Sequence, residues 1–406
     1  MATTIAPNDV DSLKDKAPPA PPQPISPAAR PGQKERLLAL DVFRGMTVAG
    51  MLLVNNPGSW DYIYPPLEHA KWHGWTPTDV IFPFFLFIVG ITTHLSLGSR
   101  RSRGASDADL ATQIVKRGLL IVFCGLALAS FPYVPLTRIT HMRFPGVLQR
   151  IGVAYLFGAL LTLKTSLKQQ VAILAVLLLG YWAAQTLVPV PGGTWPPSLD
   201  DPSGVLSAWI DRTVFGSHLW VSSKTWDPEG LLTTVPAIGT VILGVLCGRW
   251  LDTRRDLMDR LVGMFAVGSL GMVAGLMWNW VFPINKSLWT SSYVLFTAGM
   301  ATVTLATCIW VVDVLGSRKW TTPIVVFGMN PLVAFLGSGM MARGIYTLIK
   351  VDVGGEQVPI QKVIFDRYYA SWLDPRNASL LFAVTFVLVW ALLLWVLYRK
   401  RIFLKV

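Results

Sequence analysis

Apolar runs of about 20 residues recur along the whole 406-residue chain, each long enough to cross roughly 30 Å of hydrocarbon. In lipid every backbone N–H and C=O must be paired internally, so only helices or a closed barrel can span. A barrel would show short segments of alternating polarity, whereas these runs are continuous. The expected fold is therefore an all-α polytopic membrane protein of about ten transmembrane helices. The spans are placed at 37–56, 77–98, 112–133, 144–163, 169–189, 230–250, 259–281, 288–311, 321–344 and 379–398. Composition agrees: charged residues make up 14%, against about a quarter in soluble domains. Residues 1–35 are rich in Pro and Ala and lack the apolar core of a signal peptide. They read as a disordered cytoplasmic tail ahead of a transmembrane domain at 36–406, with long outer loops at 190–229 and 345–378.

An even number of spans puts both termini on one side. Lys and Arg favour that side by roughly two to one, which makes it the cytoplasm. The net charge of +12 is thus a topological signal, and nucleic acid is not expected as a partner. Cys124, Cys247 and Cys308 all fall inside apolar runs, as packing residues do. No Walker loop appears, nor a Gly-rich turn after a strand, so a nucleotide motor is not supported.

Polar residues mapped onto this topology gather at one face. Asn55 and Asn56 end the first span; His69, His73 and Asp79 precede or open the second. Arg143, Gln149 and Arg150 lie in the outer half of the fourth, Asp227 and Glu229 precede the sixth, and Asn279, Asn285, Lys286 and Trp289 join the seventh to the eighth. Ionisable groups beside membrane spans are costly and point to function. Plainer roles stand beside that reading. Asp79, after Thr76 and Pro77, fits a helix start, and Arg150 fits an ion pair with Asp227 or Glu229. The Trp and Tyr residues of the long loops, Trp195, Trp209, Trp220 and Trp226 with Tyr346, Tyr368, Tyr369 and Trp372, fit either a membrane interface or a stacking platform for a sugar. His69 is the most informative of the set, because imidazole titrates near neutrality and serves as base, acid or nucleophile. His69 and His73 stand four apart, a zinc-binding separation on a helix, but Gly74 and Pro77 argue against a helix there, and no metal is expected. At the inner face Asp41 and Arg44 are spaced to pair, with a phosphate-bearing ligand as the alternative for Arg44.

"RLLALDVFRGMTVAGMLLVNN", "HAKWHGWTPTDVIFPFFLFIVG", "RFPGVLQRIGVAY", "DPEGLLTTV", "INKSLWTSSY", "FGMNPLVAF" and "YRKRIFLKV" together resemble the heparan-α-glucosaminide N-acetyltransferase family, in the family's order and over about 36–406. The chain looks like a bacterial homologue without the large luminal region and first helix of the animal enzyme. Some such homologues are labelled N-acetylglucosamine-related transporters. The resemblance implies acetyl transfer from cytosolic acetyl-CoA to the amine of a glucosamine-type sugar on the far face of a bacterial inner membrane. It matches the family's active-site histidine to His69 and its asparagine to Asn55, though the intervening loop "NPGSWDYIYPPLE" is longer here. Asp79 is then an orienting or amine-binding group, and Arg143, Gln149, Arg150, Asp227, Glu229, Asn285, Lys286 and Trp289 are candidate substrate contacts. Arg44, Asp41 and Asn330 are candidate contacts for acetyl-CoA. An acetyl-histidine route and direct transfer both remain open. The expected partners are acetyl-CoA, an amino sugar or amino-sugar oligosaccharide, membrane lipid and a second copy in a homodimer. The alternatives are an amino-sugar transporter or sugar-binding membrane protein, and an O-acyltransferase acting on an envelope polysaccharide.

Overall fold

The computed structural model describes residues 37–133, 141–193 and 195–404; the expected tail at 1–35 lies outside them. Nine of its helices are long and apolar enough to span: α1 (Leu38–Asn55), α2 (Ile81–Arg101, entered through a 3-10 turn at Pro77–Val80), α3 (Asp107–Ser130), α4 (Val147–Lys164), α5 (Leu167–Leu187), α7 (Thr234–Leu251), α8 (Leu257–Trp278), α9 (Ser291–Ile309) and α13 (Pro375–Arg399). Between α5 and α7 lies a short helix, α6 (Leu206–Phe215). The all-α membrane architecture is as expected.

Three particulars differ from the sequence reading. The ninth span is a broken pair, α10 (Thr322–Met329) and α11 (Pro331–Arg343), bent by 83°. The break follows from Pro331, which disfavours helical backbone at Asn330; that residue sits at φ −130°, ψ 56°. The loop at 190–229 contains α6, whose Val205 and Ala208 side pack on Leu288 with Trp72 and Trp226. The loop at 345–378 contains an antiparallel hairpin, β1 (Lys350–Val353) with β2 (Glu356–Pro359), and the short α12 (Ile360–Phe365). Its turn is Gly354–Gly355, both at positive φ, which side-chain-free residues adopt without steric cost.

Burial divides the spans. In α2, α4, α7 and α9, 56–67% of the apolar window is buried, against 22–28% in α3, α5, α8 and α13. The inner helices share one core of Leu86, Ile151, Ala154, Val241, Trp289, Tyr293 and Phe296. The outer helices turn Phe123, Val267, Leu270 and Leu392 outward, which is stable only against lipid. Trp220 and Trp226 of the long loop pack edge-on with Trp72 in an aromatic chain, so Trp226 builds the loop, while Trp195 is exposed.

Helices α2 and α7 approach most closely at two glycines. A methyl group on Gly90 would lie 2.1 Å from the Val241 carbonyl oxygen, and one on Gly244 2.1 Å from that of Phe87. Small residues are what permit such backbone contact between membrane helices. Gly244→Val is therefore expected to lower unfolding stability in detergent by about 2 kcal/mol or more, read as a fall in melting temperature, whereas Gly180→Ala, where nothing lies within 4 Å, should leave it unchanged.

Candidate functional site

The sequence Thr76-Pro77-Thr78-Asp79 builds its own capping box. Pro77 starts the 3-10 turn, and the Thr76 backbone N–H donates to Asp79 Oδ2 over 3.0 Å. The Ala70 N–H donates to the same oxygen at 3.0 Å, while the Thr76 hydroxyl, 3.2 Å from it, has the Glu68 carbonyl as its nearer acceptor at 2.6 Å. Oδ2 is thereby saturated, and Asp79, with its side chain only 1% exposed, keeps Oδ1 for the site. His69 Nδ1 lies 2.7 Å from Oδ1. A carboxylate only accepts, so Nδ1 bears a proton in this contact, and in the neutral imidazole Nε2 is the nitrogen that keeps a lone pair. The His69 side chain is 49% exposed: it is held on one edge and open on the other. Asp79 thus both closes the helix start and lies within hydrogen-bond distance of the His69 imidazole.

Lys286 completes the cluster. Its Nζ lies 3.3 Å from Asp79 Oδ1, 2.9 Å from His69 Nδ1 and 3.3 Å from His69 Nε2. With Nδ1 protonated, only Nε2 offers the ammonium an acceptor. Burial lowers the Lys286 pKa, and the negative charges of Asp79 and Glu229 oppose that shift without cancelling it. The lysine is presented by a tight turn. The Asn285 side-chain oxygen accepts from the Leu288 N–H at 2.9 Å, and the Asn285 N–H donates to the Thr290 hydroxyl at 3.1 Å. Asn285 is fully buried and Trp289 is buried at φ +51°, a conformation rare for a bulky residue. These two residues build the turn that presents the lysine. Tyr293, unremarked in the sequence because it lies inside an apolar span, donates to the Asp79 carbonyl at 2.5 Å.

A second charged group stands at the same end of the bundle. Arg143 donates through Nε to Asp227 Oδ2 at 2.7 Å, and its Nη2 engages both Asp227 and Glu229. Burial opposes the charge on both Arg143 and Glu229. Attraction overcomes it, raising the arginine pKa through Glu229 and Asp227, and lowering the glutamate's through Arg143, Arg150 and Lys286. The expected partners of Arg150 thus belong to Arg143 instead. Arg150 is 2% exposed, with Nη2 on the Thr233 hydroxyl and its guanidinium 4.9 Å from the Trp289 ring centroid. It supports the site from behind and does not reach the surface. Gln149 packs at the seam of α3 and α4, where a methyl on Gly125 would lie 2.4 Å from its side-chain oxygen.

Asn55 is exposed at the end of α1, which packs against the Pro77–Val80 turn; Asn56 is buried with its amide on the Leu52 carbonyl. His73 faces Asp200 at 3.0 Å through Nε2, and its Nδ1 lies 3.5 Å from the Asn285 amide nitrogen. The inner-end candidates lie elsewhere. Arg44 pairs with Asp41 at 3.3 Å and donates to the Gly328 carbonyl, as their spacing led one to expect. Asn330 spans the helix break to the C-terminal segment, donating to the Ile402 carbonyl and accepting from the Leu404 N–H, both at 3.0 Å. Both polar atoms of its amide thus serve the fold.

The chain is similar in sequence to known proteins. The family model for the catalytic region of heparan-alpha-glucosaminide N-acetyltransferase matches residues 36–267, which include every member of both clusters except Lys286. The mouse (Mus musculus) protein called heparan-alpha-glucosaminide N-acetyltransferase is 29% identical over the whole chain, which covers 67% of it. The human (Homo sapiens) protein of that name is 30% identical over 91% of the chain, which covers 60% of it.

Two tests follow from the electrostatics. Arg143→Met strands two carboxylates and should cost about 3 kcal/mol of stability, measured by thermal unfolding in detergent. Asp211 carries a pKa raised by burial from 3.8 to about 6, with the Leu231 N–H bond opposing the rise and Asp227 adding to it. The protonated form is the one the fold prefers, so this contribution is present below pH 3.8 and is lost as pH rises through about 6. The difference in stability between wild type and Asp211→Asn should change across that window and be flat above it.

Proposed function

The chain belongs to the family of the heparan-alpha-glucosaminide N-acetyltransferase catalytic region, and from this premise we propose that it is a transmembrane N-acetyltransferase. It moves acetyl from cytosolic acetyl-CoA to the amine of a glucosamine-type sugar on the outer face of a bacterial inner membrane. The observation that carries the reading is the His69–Asp79–Lys286 cluster, an open imidazole fixed by a buried carboxylate. The integral membrane fold and the family support it.

In this reading His69 Nε2 is the reactive atom. It takes a proton from the sugar ammonium, and the freed amine attacks the thioester carbonyl. The C–S bond breaks, one amine proton passes by way of the imidazole to the departing thiolate, and a second is released to water. The products are an acetamide and coenzyme A thiol. Lys286, beside His69, and Asn55, at the end of α1, are the donors assigned to the oxygen on which charge develops, and Lys286 must leave Nε2 for the base to act. A carbonyl beside His69 offers that ammonium a new acceptor. Arg143, Asp227 and Glu229 flank the site as the polar wall for an amino-sugar ring.

The donor phosphates belong at the other end of the bundle. Arg44 and Asn55 are eleven residues apart on α1, roughly 16 Å of helix, which the thin pantetheine arm has to thread. Arg44 itself is engaged by Asp41 and Gly328, so the basic inner loops, Arg100 to Arg103 among them, are the better phosphate contacts.

Purified protein given acetyl-labelled acetyl-CoA and glucosamine should form N-acetylglucosamine. His69→Ala should abolish this, and Asp79→Asn should lower kcat by about a hundredfold or more through the wrong tautomer. Full activity in His69→Ala would remove His69 from the mechanism. Sugar uptake into vesicles without acetyl-CoA, and no acetylation, would make the protein a transporter.

A further inference from the structure

Behind the candidate site, four buried polar atoms on three side chains have no hydrogen-bond partner among the described residues: Nε and Nη1 of Arg150, Oδ2 of Asp211 and Oε1 of Gln185. These residues are 2%, 1% and 1% exposed. They come from three helices, α4, α6 and α5, yet converge on one place. The Arg150 guanidinium donates to the Thr233 hydroxyl, which donates on to the Gly230 carbonyl. The Asp211 carboxylate lies over Gly230, so close that a methyl there would meet Oδ2 at 1.9 Å, and its Oδ1 accepts from the Leu231 N–H at 2.9 Å. On the other side Arg150 stacks on Trp289. The carbonyl of the preceding residue, Leu288, accepts from the Tyr181 hydroxyl, which in turn accepts from the Gln185 amide at 2.9 Å. That bond fixes the orientation of the Gln185 amide and leaves Oε1 as the unpaired atom.

Buried polar groups in folded proteins are paired with protein or with ordered water. The unpaired set is mixed, two donors on a guanidinium and two acceptors on a carboxylate and an amide. An anion would meet the Asp211 carboxylate, and a metal cation would meet the Arg150 guanidinium. A small neutral molecule that both donates and accepts suits both. We infer that Arg150, Asp211 and Gln185 line an interior hydration site that takes ordered water, and that through it they act as positioning residues for two turns. One turn, Asp227–Gly230, carries the carboxylates that hold Arg143; the other, Asn285–Trp289, carries Lys286. The water replaces a direct ion pair between Arg150 and Asp211, so both turns are tied to one buried node from opposite sides. Its ligand is water itself, and it adds a set of groups that the acetyl-transfer reading does not use.

The first test does not depend on that reading. A cryo-EM map of the full chain in nanodiscs, at a resolution that shows waters, should contain density within hydrogen-bond distance of Arg150 Nε or Nη1 and of Asp211 Oδ2 or Gln185 Oε1. A direct Arg150–Asp211 ion pair, or a dry contact, overturns the inference. The second test rests on the acetyl-transfer reading and separates positioning from general damage. Gln185→Leu should lower kcat/KM for the acceptor about tenfold, through KM where the Arg143 turn shifts and through kcat where Lys286 shifts, and Gln185→Glu, which keeps an acceptor in place, should restore it. Equal losses in both variants, or an unchanged kcat/KM in Gln185→Leu, would reject the positioning role. Absence of acetylation in wild type with water density in place would fault the acetyl-transfer reading and leave the hydration site standing.

Discussion

The geometry at this end of the bundle depends on one carboxylate almost wholly out of water. A buried charge is tolerable only when its lone pairs are met. Asp79 meets that condition with two backbone N–H donors on Oδ2 and with His69 and Lys286 on Oδ1. Those donors come from three pieces of chain. The Thr76 box fixes the start of α2, Ala70 fixes the loop that carries His69, and Lys286 fixes the turn between α8 and α9. Tyr293 adds a bond to the backbone of Asp79 itself. One carboxylate therefore sets a helix start, the tautomer of an imidazole and the place of an ammonium.

A second carboxylate pair plays a matching part. Asp227 and Glu229 hold Arg143 on one side, while the turn that bears them is anchored by Asp211 and by Thr233. The two clusters communicate through charge and packing: Glu229 pulls on Lys286, and Arg150 rests on the indole of Trp289. Such a set of charges is tolerable at the end of a membrane bundle because opposite charges and hydrogen bonds offset the burial that opposes each of them. The strain at Trp289, a buried indole at positive φ, is borne by its hydrogen bond to Thr240 and its contacts with Phe82 and Tyr293.

The spans were legible because lipid imposes a length and a composition that few other folds share. His69 and Asp79 were legible because polar groups beside an apolar run are costly, and Thr76 and Asp79 because a capping box is local. Arg150 was visible as an oddity, but its partner was not: Asp227 and Glu229 were the plausible choices, and Arg143 holds them. Trp289 and Asn285 looked like surface groups at a helix end and are buried, because the loop bearing α6 folds over their turn. Asn330 was placed with the ligand, and its amide instead ties the broken helix to the C-terminal segment. Tyr181, Asp211 and Tyr293 gave no signal, since a Tyr in an apolar run and an Asp in a long loop are unremarkable until the fold surrounds them.

By itself, then, the sequence determined the membrane class, the number of crossings within one broken helix, and the face on which the chemistry-bearing side chains gather. Hydrocarbon thickness and the cost of ionised groups in lipid act on each segment separately, so they can be read one segment at a time. Only the tertiary structure decided which acid meets which base. That pairing joins residues as far apart as His69 and Lys286 or Arg143 and Glu229. It is settled by how helices cross and loops close over them, which no single segment carries.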